Sequence, residues 1–211
     1  MPSNRMKIDC IDIENILTSE ELKLFPIEKY YKKNILYYKE NVSVVIIKSG
    51  SAKVVFYEEG EEFILYYLAK NNMYVLESSC MLEFMEDSEI YVIDVKAFPE
   101  KVQNIDFCNI LLGSIVEGVM LERKIINHLV FDCCKERMAS FLLDLYEKDQ
   151  DIYFSLDISM EELSHFIGSK RQTVSTVFND FLKDNIIEKI EHHSYVIRDM
   201  HALKKIVQKT I

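Results

Sequence analysis

Two short helices joined by a glycine turn are predicted in the last third of the chain, and each carries its own start signal. Ser159 with Glu162, and Ser169 with Gln172, fit a capping box, in which a hydroxyl and a carboxylate or carboxamide satisfy the first backbone N–H groups of a helix. Gly168 lies just before the second start, where a chain that reverses between helices needs an unhindered backbone. This arrangement is typical of a helix-turn-helix, whose second helix is suited to insertion into the DNA major groove.

A series of short strands is predicted between the start of the chain and about residue 98. The runs are rich in Val, Ile, Tyr and Phe, and turn residues such as Asn71-Asn72 separate them. They are Ile35–Tyr38, Val44–Lys48, Ala52–Tyr57, Phe63–Leu68, Met73–Leu76, Met81–Met85 and Ile90–Val95. Regular short strands with tight turns predict an antiparallel barrel or jelly roll. A helix start is also predicted ahead of the strands, from Thr18 to Glu21.

The hydrophobic period lengthens to three and four residues after about residue 99. The apolar positions of this stretch are Phe107, Leu111, Leu112, Ile115, Val116, Val119, Met120, Ile125, Ile126, Leu129 and Val130. They predict one long helix over 107–131, with Pro99 near the start of the helical region. Because the apolar stripe is wider than one neighbour requires, we expect one side to pack on its own domain and the other on a second copy of the chain. An ordinary buried helix is the alternative.

Residues 132–211 are predicted to form a compact helical module that contains the helix-turn-helix. A first amphipathic helix is expected over Cys133–Glu147. After the helix-turn-helix, the apolar runs Ile186–Ile190 and Tyr195–Ile197 flank a polar turn and predict a β-hairpin. A hairpin that follows a helix-turn-helix is a wing.

The charge balance does not by itself favour DNA, because 25 Lys and Arg oppose 35 Asp and Glu to give a net charge of −10. Residues 132–211 carry 11 basic and 14 acidic side chains, a net charge of −3, and residues 1–131 carry 14 and 21, a net charge of −7. Phosphate attraction usually needs a basic surface. Lys170 and Arg171 supply one locally, beside the positive end of the second helix. We therefore expect modest DNA affinity that depends on dimer formation.

Length and composition narrow the class of protein further. The 211 residues, 49% of them hydrophobic, can form one large domain or two small ones with a substantial core. No apolar run reaches spanning length and no signal core is present, which predicts a cytoplasmic protein with no membrane partner. Five cysteines without metal-type spacing suit free thiols. Motifs of hydrolases and nucleotide-binding enzymes are missing from the sequence, so no enzymatic activity is predicted.

A β-roll, a long helix and a winged helix-turn-helix, in that order, resemble the Crp/Fnr family of bacterial transcription regulators over nearly the whole chain. The resemblance is most specific at residues 161–176, where Arg-Gln-Thr-Val-Ser-Thr stands in place of the family's Arg-Glu-Thr-Val-Ser-Arg type of run. It continues through 181–187, where Asn185 replaces a frequent glycine. Asparagine also tolerates the left-handed conformation that a helix end needs.

The resemblance implies an α+β fold. Its parts are an N-terminal antiparallel β-roll, jelly-roll-like and similar to a cyclic-nucleotide-binding domain, a long dimerisation helix and a C-terminal winged helix-turn-helix. On this chain, the β-roll sensor domain is expected in 1–106, the dimerisation helix in 107–131 and the DNA-binding domain in 132–211.

The DNA-facing positions of the family, carried over to this chain, fall on one face of the second helix. They are Lys170, Arg171, Gln172, Ser175, Thr176 and Asn179. Arginine suits the two acceptors of guanine, glutamine suits the donor–acceptor pair of adenine, and Lys170 is expected to hold phosphate. Because Gln172 and Thr176 replace the family's glutamate and final arginine, we expect a target sequence different from the usual one.

The cyclic-nucleotide-binding relatives carry an arginine-containing phosphate cassette, and this chain does not. No arginine occurs between Arg5 and Arg123, and the segment from Glu77 to Ile90 is too short for the cassette, so a response to cyclic AMP is not expected. All five histidines lie at or beyond His128, which leaves no histidine cluster for a metal in the β-roll. No cofactor is predicted.

We therefore predict a homodimeric regulator that binds a palindromic site in double-stranded DNA. RNA polymerase and a small-molecule effector of unknown identity are further candidate partners. The resemblance leaves open a haem- or thiol-dependent gas or redox sensor, because a haem-binding branch of the family uses a cysteine, a histidine and an N-terminal proline as ligands, and Pro2 and Cys80 are present here. A small-molecule-binding or catalytic β-barrel with an accessory helix-turn-helix, and a module that binds only proteins, are the alternatives from other classes.

Overall fold

The computed structural model describes residues 12–37, 42–96 and 104–208. The chain divides into two compact units, one within residues 8–122 and the other within residues 123–211, and each is described by itself. The predicted strand end at Tyr38 and the predicted helix-start residue Pro99 lie outside the described residues.

The front unit consists of two short helices, eight strands in the described residues and the first part of a long helix. The short helices are α1 (Ile13–Ile16) and α2 (Ser19–Leu22). The strands are β1 (Ile27–Tyr30), β2 (Ile35–Leu36), β3 (Ser43–Ser49), β4 (Ala52–Glu58), β5 (Glu61–Leu68), β6 (Met73–Leu76), β7 (Met81–Phe84) and β8 (Ser88–Asp94). They pair antiparallel in two four-stranded sheets, ordered β1-β8-β3-β6 and β2-β7-β4-β5. The predicted antiparallel β-roll is confirmed.

Strand β1 was not predicted, and its position in the sheet explains why. It is an edge strand that pairs only with β8 in its sheet, and its residues alternate between exposed and half-buried. Ile27, its first residue, is exposed to solvent. By contrast, β3 lies between β8 and β6 and buries residues 43–47 in a continuous run. A strand with neighbours on both sides is more deeply buried, and therefore more apolar in sequence, than an edge strand with one neighbour. The sequence of β1 was therefore not apolar enough to predict a strand.

The turn between β3 and β4 requires glycine. Gly50 has a φ of +83°, and a Cβ at this position would lie 2.2 Å from the hydroxyl oxygen of Ser88. The same hydroxyl accepts a hydrogen bond of 3.2 Å from the backbone N–H of Ser51. The tight approach of β8 to this turn therefore excludes any side chain at residue 50.

Helices α1 and α2 close one end of the front unit. The helix start predicted from Thr18 to Glu21 is confirmed, and the structure shows a capping box there, with the Thr18 N–H donating to the Glu21 carboxylate at 2.8 Å. One core cluster joins α1, the loop after α2, one sheet and the start of the long helix, and Phe25 and Phe107 pack with ring centroids 5.8 Å apart. Its buried members are Ile13, Leu17, Phe25, Val44, Ile46, Met73, Tyr91, Ile93, Phe107 and Leu111.

The long helix α3 (Ile105–Phe131) has 27 residues and is therefore about 40 Å long. It begins two residues before the predicted start and ends at the predicted residue. Phe107, Leu111, Leu121 and Ile125 are buried. Many of its other apolar side chains are exposed, namely Ile105, Ile110, Leu112, Val116, Val119, Met120, Ile126, Val130 and Phe131. This second apolar set is named here the exposed α3 stripe.

The back unit continues from the end of α3 as a winged helical module. Its elements are α4 (Cys134–Asp149), β9 (Tyr153–Ser155), α5 (Met160–Ile167), α6 (Arg171–Lys183), β10 (Ile187–Glu191), β11 (Ser194–Ile197) and α7 (Met200–Val207). The predicted hairpin is present as β10 and β11, and β9 adds a third antiparallel strand. β9 and α7 were not predicted, because elements this short depend on tertiary partners, β11 for β9 and α4 for α7.

Among the described residues, none of the helices combines the length and the apolar character needed to cross a membrane.

Candidate nucleic-acid interface

Helix α5 and the turn after it are formed by local hydrogen bonds. The hydroxyl of Ser159 accepts from the backbone N–H of Glu162 at 3.0 Å, which confirms Ser159 as the N-cap. Gly168 ends the helix in the left-handed conformation, with φ 69° and ψ 47°. The backbone N–H groups of Gly168 and Ser169 both bond to the carbonyl of Ser164, at 2.9 and 3.1 Å. These bonds reverse the chain within two residues of the end of α5.

The second predicted capping box, Ser169 with Gln172, is wrong. Helix α6 begins at Arg171, its N-cap is Lys170, and no side chain makes a capping hydrogen bond there. Ser169 is one residue too early because its backbone belongs to the turn that ends α5. The first N–H groups of α6 thus lack a side-chain cap. Because the helix begins at Arg171, the positive end of its dipole lies beside Lys170 and Arg171.

The inner face of α6 determines the rotation of the helix about its axis. Val174, Phe178 and Phe181 are buried, with exposed fractions of 0%, 3% and 0%. The ring of Phe178 meets the ring of Tyr195 edge to face, with centroids 5.3 Å apart and an interplanar angle of 89°. The ammonium of Lys135 lies 5.9 Å from the centroid of Phe181. Because this face is held by the core, the opposite face must point away from the unit.

The sequence-predicted site residues all lie on α6 or at its start, and the structure brings them together at its surface. Lys170, Arg171, Gln172, Thr176 and Asn179 are exposed, and Ser175 is half-buried. Thr173, which sequence reasoning passed over, is also exposed in the first turn. Its position three residues before Thr176 could have identified it, since residues three apart are neighbours on a helix surface.

Two contacts modify the predicted donors. A guanidinium nitrogen of Arg171, Nη1, lies 3.4 Å from a carboxylate oxygen of Glu161, and both side chains are more than half exposed. The hydroxyl of Thr176 donates to the backbone carbonyl of Gln172 at 2.9 Å. The Thr176 proton is therefore engaged within the helix, which leaves its methyl group and an acceptor lone pair at the surface.

The wing follows α6 after a sharp turn. Asn185 adopts a positive φ of 55°, in agreement with its predicted tolerance of the left-handed conformation. The turn of the β10–β11 hairpin carries His192 and His193, which are exposed with ring centroids 4.2 Å apart. The helix-turn-helix and the wing therefore form a continuous winged module in which α6 presents a polar face.

Comparison with known proteins agrees with this geometry. Residues 136–206 match the model of a Crp-like helix-turn-helix domain. The structure of a CooA mutant from Carboxydothermus hydrogenoformans is 29% identical, with a TM-score of 0.83, and the match covers 95% of this chain and 99% of that chain. FixK2 from Bradyrhizobium japonicum is similar in fold, with 14% identity, coverage of 89% and 99%, and a TM-score of 0.69. The search of curated proteins returned no match.

Residues 136–206 belong to the Crp-like helix-turn-helix family, and the chain as a whole is similar to CooA.

Crp/Fnr proteins are DNA-binding transcription regulators, typically dimeric, and they are not enzymes. The chain is accordingly a DNA-binding transcription regulator whose helix-turn-helix contacts DNA.

The wing base is held by an ion pair and by aromatic packing. The Arg198 guanidinium donates to the Glu188 carboxylate at 2.6 Å, and this bond raises the pKa of Arg198. Tyr195 packs between Phe178 and Phe154, and burial raises the pKa of its phenol, which stays neutral at physiological pH. The wing is thus anchored to α6 through a neutral aromatic contact.

The interior of the front unit contains a short series of polar contacts. Cys80 is buried, and its sulfur lies 3.2 Å from the phenol oxygen of Tyr74. The ring of Tyr74 meets that of Tyr66 edge-on, and the Tyr66 hydroxyl donates to the Glu122 carboxylate at 3.0 Å. Burial raises the pKa of the Cys80 thiol and disfavours its reactive thiolate form. Among the described residues, no group of His, Cys, Asp and Glu could hold a metal ion.

Proposed function

We propose that this regulator acts as a homodimer on a palindromic DNA site and reads the site with the exposed face of α6. The residues assigned to DNA are Lys170, Arg171, Gln172, Ser175, Thr176 and Asn179. The observation that carries the proposal is the division of α6 into a buried apolar face and a polar face at the surface. A helix with these two faces can be rigidly held and still present its side chains to base edges.

Each side chain has a distinct task in the proposal. Arg171 donates two hydrogen bonds to guanine, and Gln172 donates to and accepts from adenine. Lys170 contacts phosphate beside the uncapped start of α6, where the helix dipole adds attraction. Thr176 contributes its methyl group, which suits the methyl group of thymine, because its hydroxyl proton is bonded to Gln172.

The exposed α3 stripe supports the homodimer. Val116 and Val119 are 50% and 43% exposed, and Met120 is 65% exposed. A contiguous apolar stripe of this kind is costly in water and typical of an interface. A second copy placed along it would bury matching apolar side chains and hold two α6 helices at a defined separation. Half-sites one helical turn apart, roughly 34 Å, would then be addressed together.

The proposal keeps the division of the chain into a sensor domain in 1–106, a dimerisation helix in 107–131 and a DNA-binding domain in 132–211. It places the protein in the cytoplasm with the DNA, and it leaves RNA polymerase and a small-molecule effector as candidate further partners. The effector, if used, would shift the population between two dimer states.

Cyclic AMP is not the proposed effector. Strand β6 ends at Leu76 and β7 begins at Met81, so only four residues connect them. In this connection the Glu77 carboxylate accepts a hydrogen bond of 3.0 Å from the backbone N–H of Ser79. The Glu77 carboxylate is thus engaged within the turn itself. The sequence has no arginine in residues 12–122 that could bind a cyclic phosphate.

A haem-dependent gas sensor is the second candidate, because two of the similar structures are described as CO-dependent CooA and as a reduced CO-sensing protein from R. rubrum. The residues do not fit haem well. The Cys80 sulfur is buried against Tyr74 with a raised pKa, and no histidine occurs before His128 in the sequence. Visible absorption of the freshly purified protein, with and without reductant, distinguishes the candidates, and a Soret band would favour the sensor.

The experiment that tests the proposal is selection of bound fragments from random DNA, followed by titration of Arg171→Ala. The variant is expected to lose about 1–3 kcal/mol of specific binding and to relax base choice at one position in each half-site. Lys189→Ala, which removes an exposed positive charge from β10, is the control and should keep base choice. An equal loss by Arg171→Ala on random DNA would contradict base readout by Arg171.

A further inference from the structure

The C-terminal ends of two helices of the back unit meet at the side chain of Arg137. This residue is the fourth of α4. Its Nη1 donates to the carbonyl of Asp132 at 2.6 Å, and its Nη2 donates to the carbonyl of Gly168 at 3.0 Å. Asp132 directly follows the last residue of α3, and Gly168 directly follows the last residue of α5. One guanidinium therefore joins the ends of two helices that are 36 residues apart in the sequence.

Helix electrostatics explain why a cation lies at this point. The last carbonyls of a helix lack partners within the helix and carry a partial negative charge. Arg137 meets two such ends together and supplies N–H donors to both. A cation in the first turn of α4 is unfavourable for the dipole of α4 itself, so local helix preference does not account for it.

The geometry of the contact calls for arginine in particular. The guanidinium is a rigid planar fork whose two terminal nitrogens reach the two carbonyls separately. Its Nε is buried and has no hydrogen-bond partner among the described residues, a cost that the two outer bonds must offset. Lysine would keep the charge but lose the fixed angle between the donors.

Asp132 is held from a second side. Its carboxylate bonds to His128, one turn earlier on α3, and its backbone N–H donates to the His128 carbonyl at 3.1 Å. The α3 end of the Arg137 contact is therefore itself anchored. At the other end, Gly168 lies two residues before Lys170, the N-cap of α6. A movement of α6 that carries Gly168 away from the end of α3 would lengthen the Arg137–Gly168 bond.

We propose that Arg137 is a positioning residue for DNA recognition, whose two carbonyl contacts set the orientation of α6 relative to the end of α3. The inference rests on the proposed homodimer function. In a dimer joined through α3, the orientation of each α6 determines whether both helices reach their half-sites at once. Arg137 is not one of the residues assigned to DNA contacts. Its effect on DNA affinity should therefore come from the placement of α6, which matters most when both half-sites are bound at once.

The test compares full-length wild-type protein with Arg137→Lys on three kinds of DNA. These are the selected palindrome, the same DNA with one half-site scrambled, and palindromes with one base pair added or removed between half-sites. Arg137→Lys is expected to lose about tenfold or more on the palindrome, because misplacement removes the gain from linked binding. Binding to the single half-site should change by less than about twofold, and the preference for one spacing should become flatter.

Arg198→Lys is the matched control, since Arg198 is more exposed and bonds to a side chain instead of two backbone carbonyls. It should keep the affinity and the spacing preference of the wild type. Circular dichroism and sedimentation establish that each variant is folded and dimeric. If Arg137→Lys does not fold, Arg137→Gln is measured in the same way, since its amide can still donate to one carbonyl.

Two results would overturn the role of Arg137. One is an equal loss on the palindrome and the single half-site, and the other is an unchanged spacing preference in a folded variant. A wild-type protein with no preference for the palindrome would contradict the proposed homodimer function itself, and with it this role. A wild type that prefers the palindrome, together with an unaffected variant, contradicts the Arg137 role alone.

Discussion

Removing the negative charge of Glu161 should strengthen DNA binding, because this carboxylate competes with DNA for Arg171. The Glu161 oxygen lies 3.4 Å from Nη1 of Arg171, at the start of the helix assigned to base readout. To donate two hydrogen bonds to guanine, the guanidinium must leave this partner. Glu161→Gln keeps the size of the side chain and removes the ionic part of the competition.

The size of the effect follows from the exposure of the pair. Two unit charges 3.4 Å apart attract by about 1.2 kcal/mol in a medium as polar as water. The side chains are 67% and 59% exposed, so entropy and salt reduce the net value to about 0.2–1 kcal/mol. Glu161→Gln should therefore tighten binding by about 1.4- to fivefold.

Fluorescence anisotropy on the selected operator measures this gain, and a double-mutant cycle assigns it to Arg171. In the Arg171→Ala background, Glu161→Gln should have little further effect, because the competition has already been removed. Glu188→Gln is the control, since it breaks the ion pair with Arg198 and makes the same charge change on β10. The reasoning is refuted if Glu161→Gln weakens binding, or if the same gain persists without Arg171.

Two further predictions concern the dimer and the cap of α5. Val119→Asp places a carboxylate in the exposed α3 stripe and should raise the dimer dissociation constant at least about tenfold by analytical ultracentrifugation, because the charge would be buried without a partner. Val42→Asp, at a valine of nearly equal exposure (42% against 43%), should leave dimerisation unchanged, and equal effects would argue against the stripe as the interface. Ser159→Ala should lower the free energy of unfolding by about 1 kcal/mol in urea titrations through loss of the N-cap bond, whereas Ser169→Ala should change it much less; a larger effect at Ser169 would contradict the assignment of the caps.

The β-roll was predictable where strands are central and less so at its edges. Central strand β3 buries residues 43–47, and its position was visible in the apolar run that starts at Val44. Edge strand β1 carries exposed Ile27 and two charged residues, so nothing in its composition separates it from a loop. Its existence depends on pairing with β8, which lies about 60 residues further along the chain.

The helix-turn-helix also contains both features that the sequence predicted correctly and one that it did not. The predicted polar residues Lys170, Arg171, Gln172, Thr176 and Asn179 are exposed and Ser175 is half-buried, because buried Val174, Phe178 and Phe181 orient the helix. The capping box at Ser169 was predicted from spacing alone and is wrong. The backbone of Ser169 is already used by the turn after α5, and a pattern of residue types does not record which bonds its neighbours have taken.

By itself, the sequence determined the order of β-roll, long helix and winged helix-turn-helix, the buried face of α6 and the residues on its opposite face. These properties follow from hydrophobic periodicity and from turns in which glycine or asparagine must adopt a positive φ, and both act over a few residues. Only the tertiary structure decided that Arg171 is paired with Glu161, that Cys80 lies against Tyr74, and that Arg137 links the ends of α3 and α5. Those contacts join residues that are distant in sequence or lie on separate elements, and their geometry is set by packing in three dimensions, which no local pattern of residues encodes.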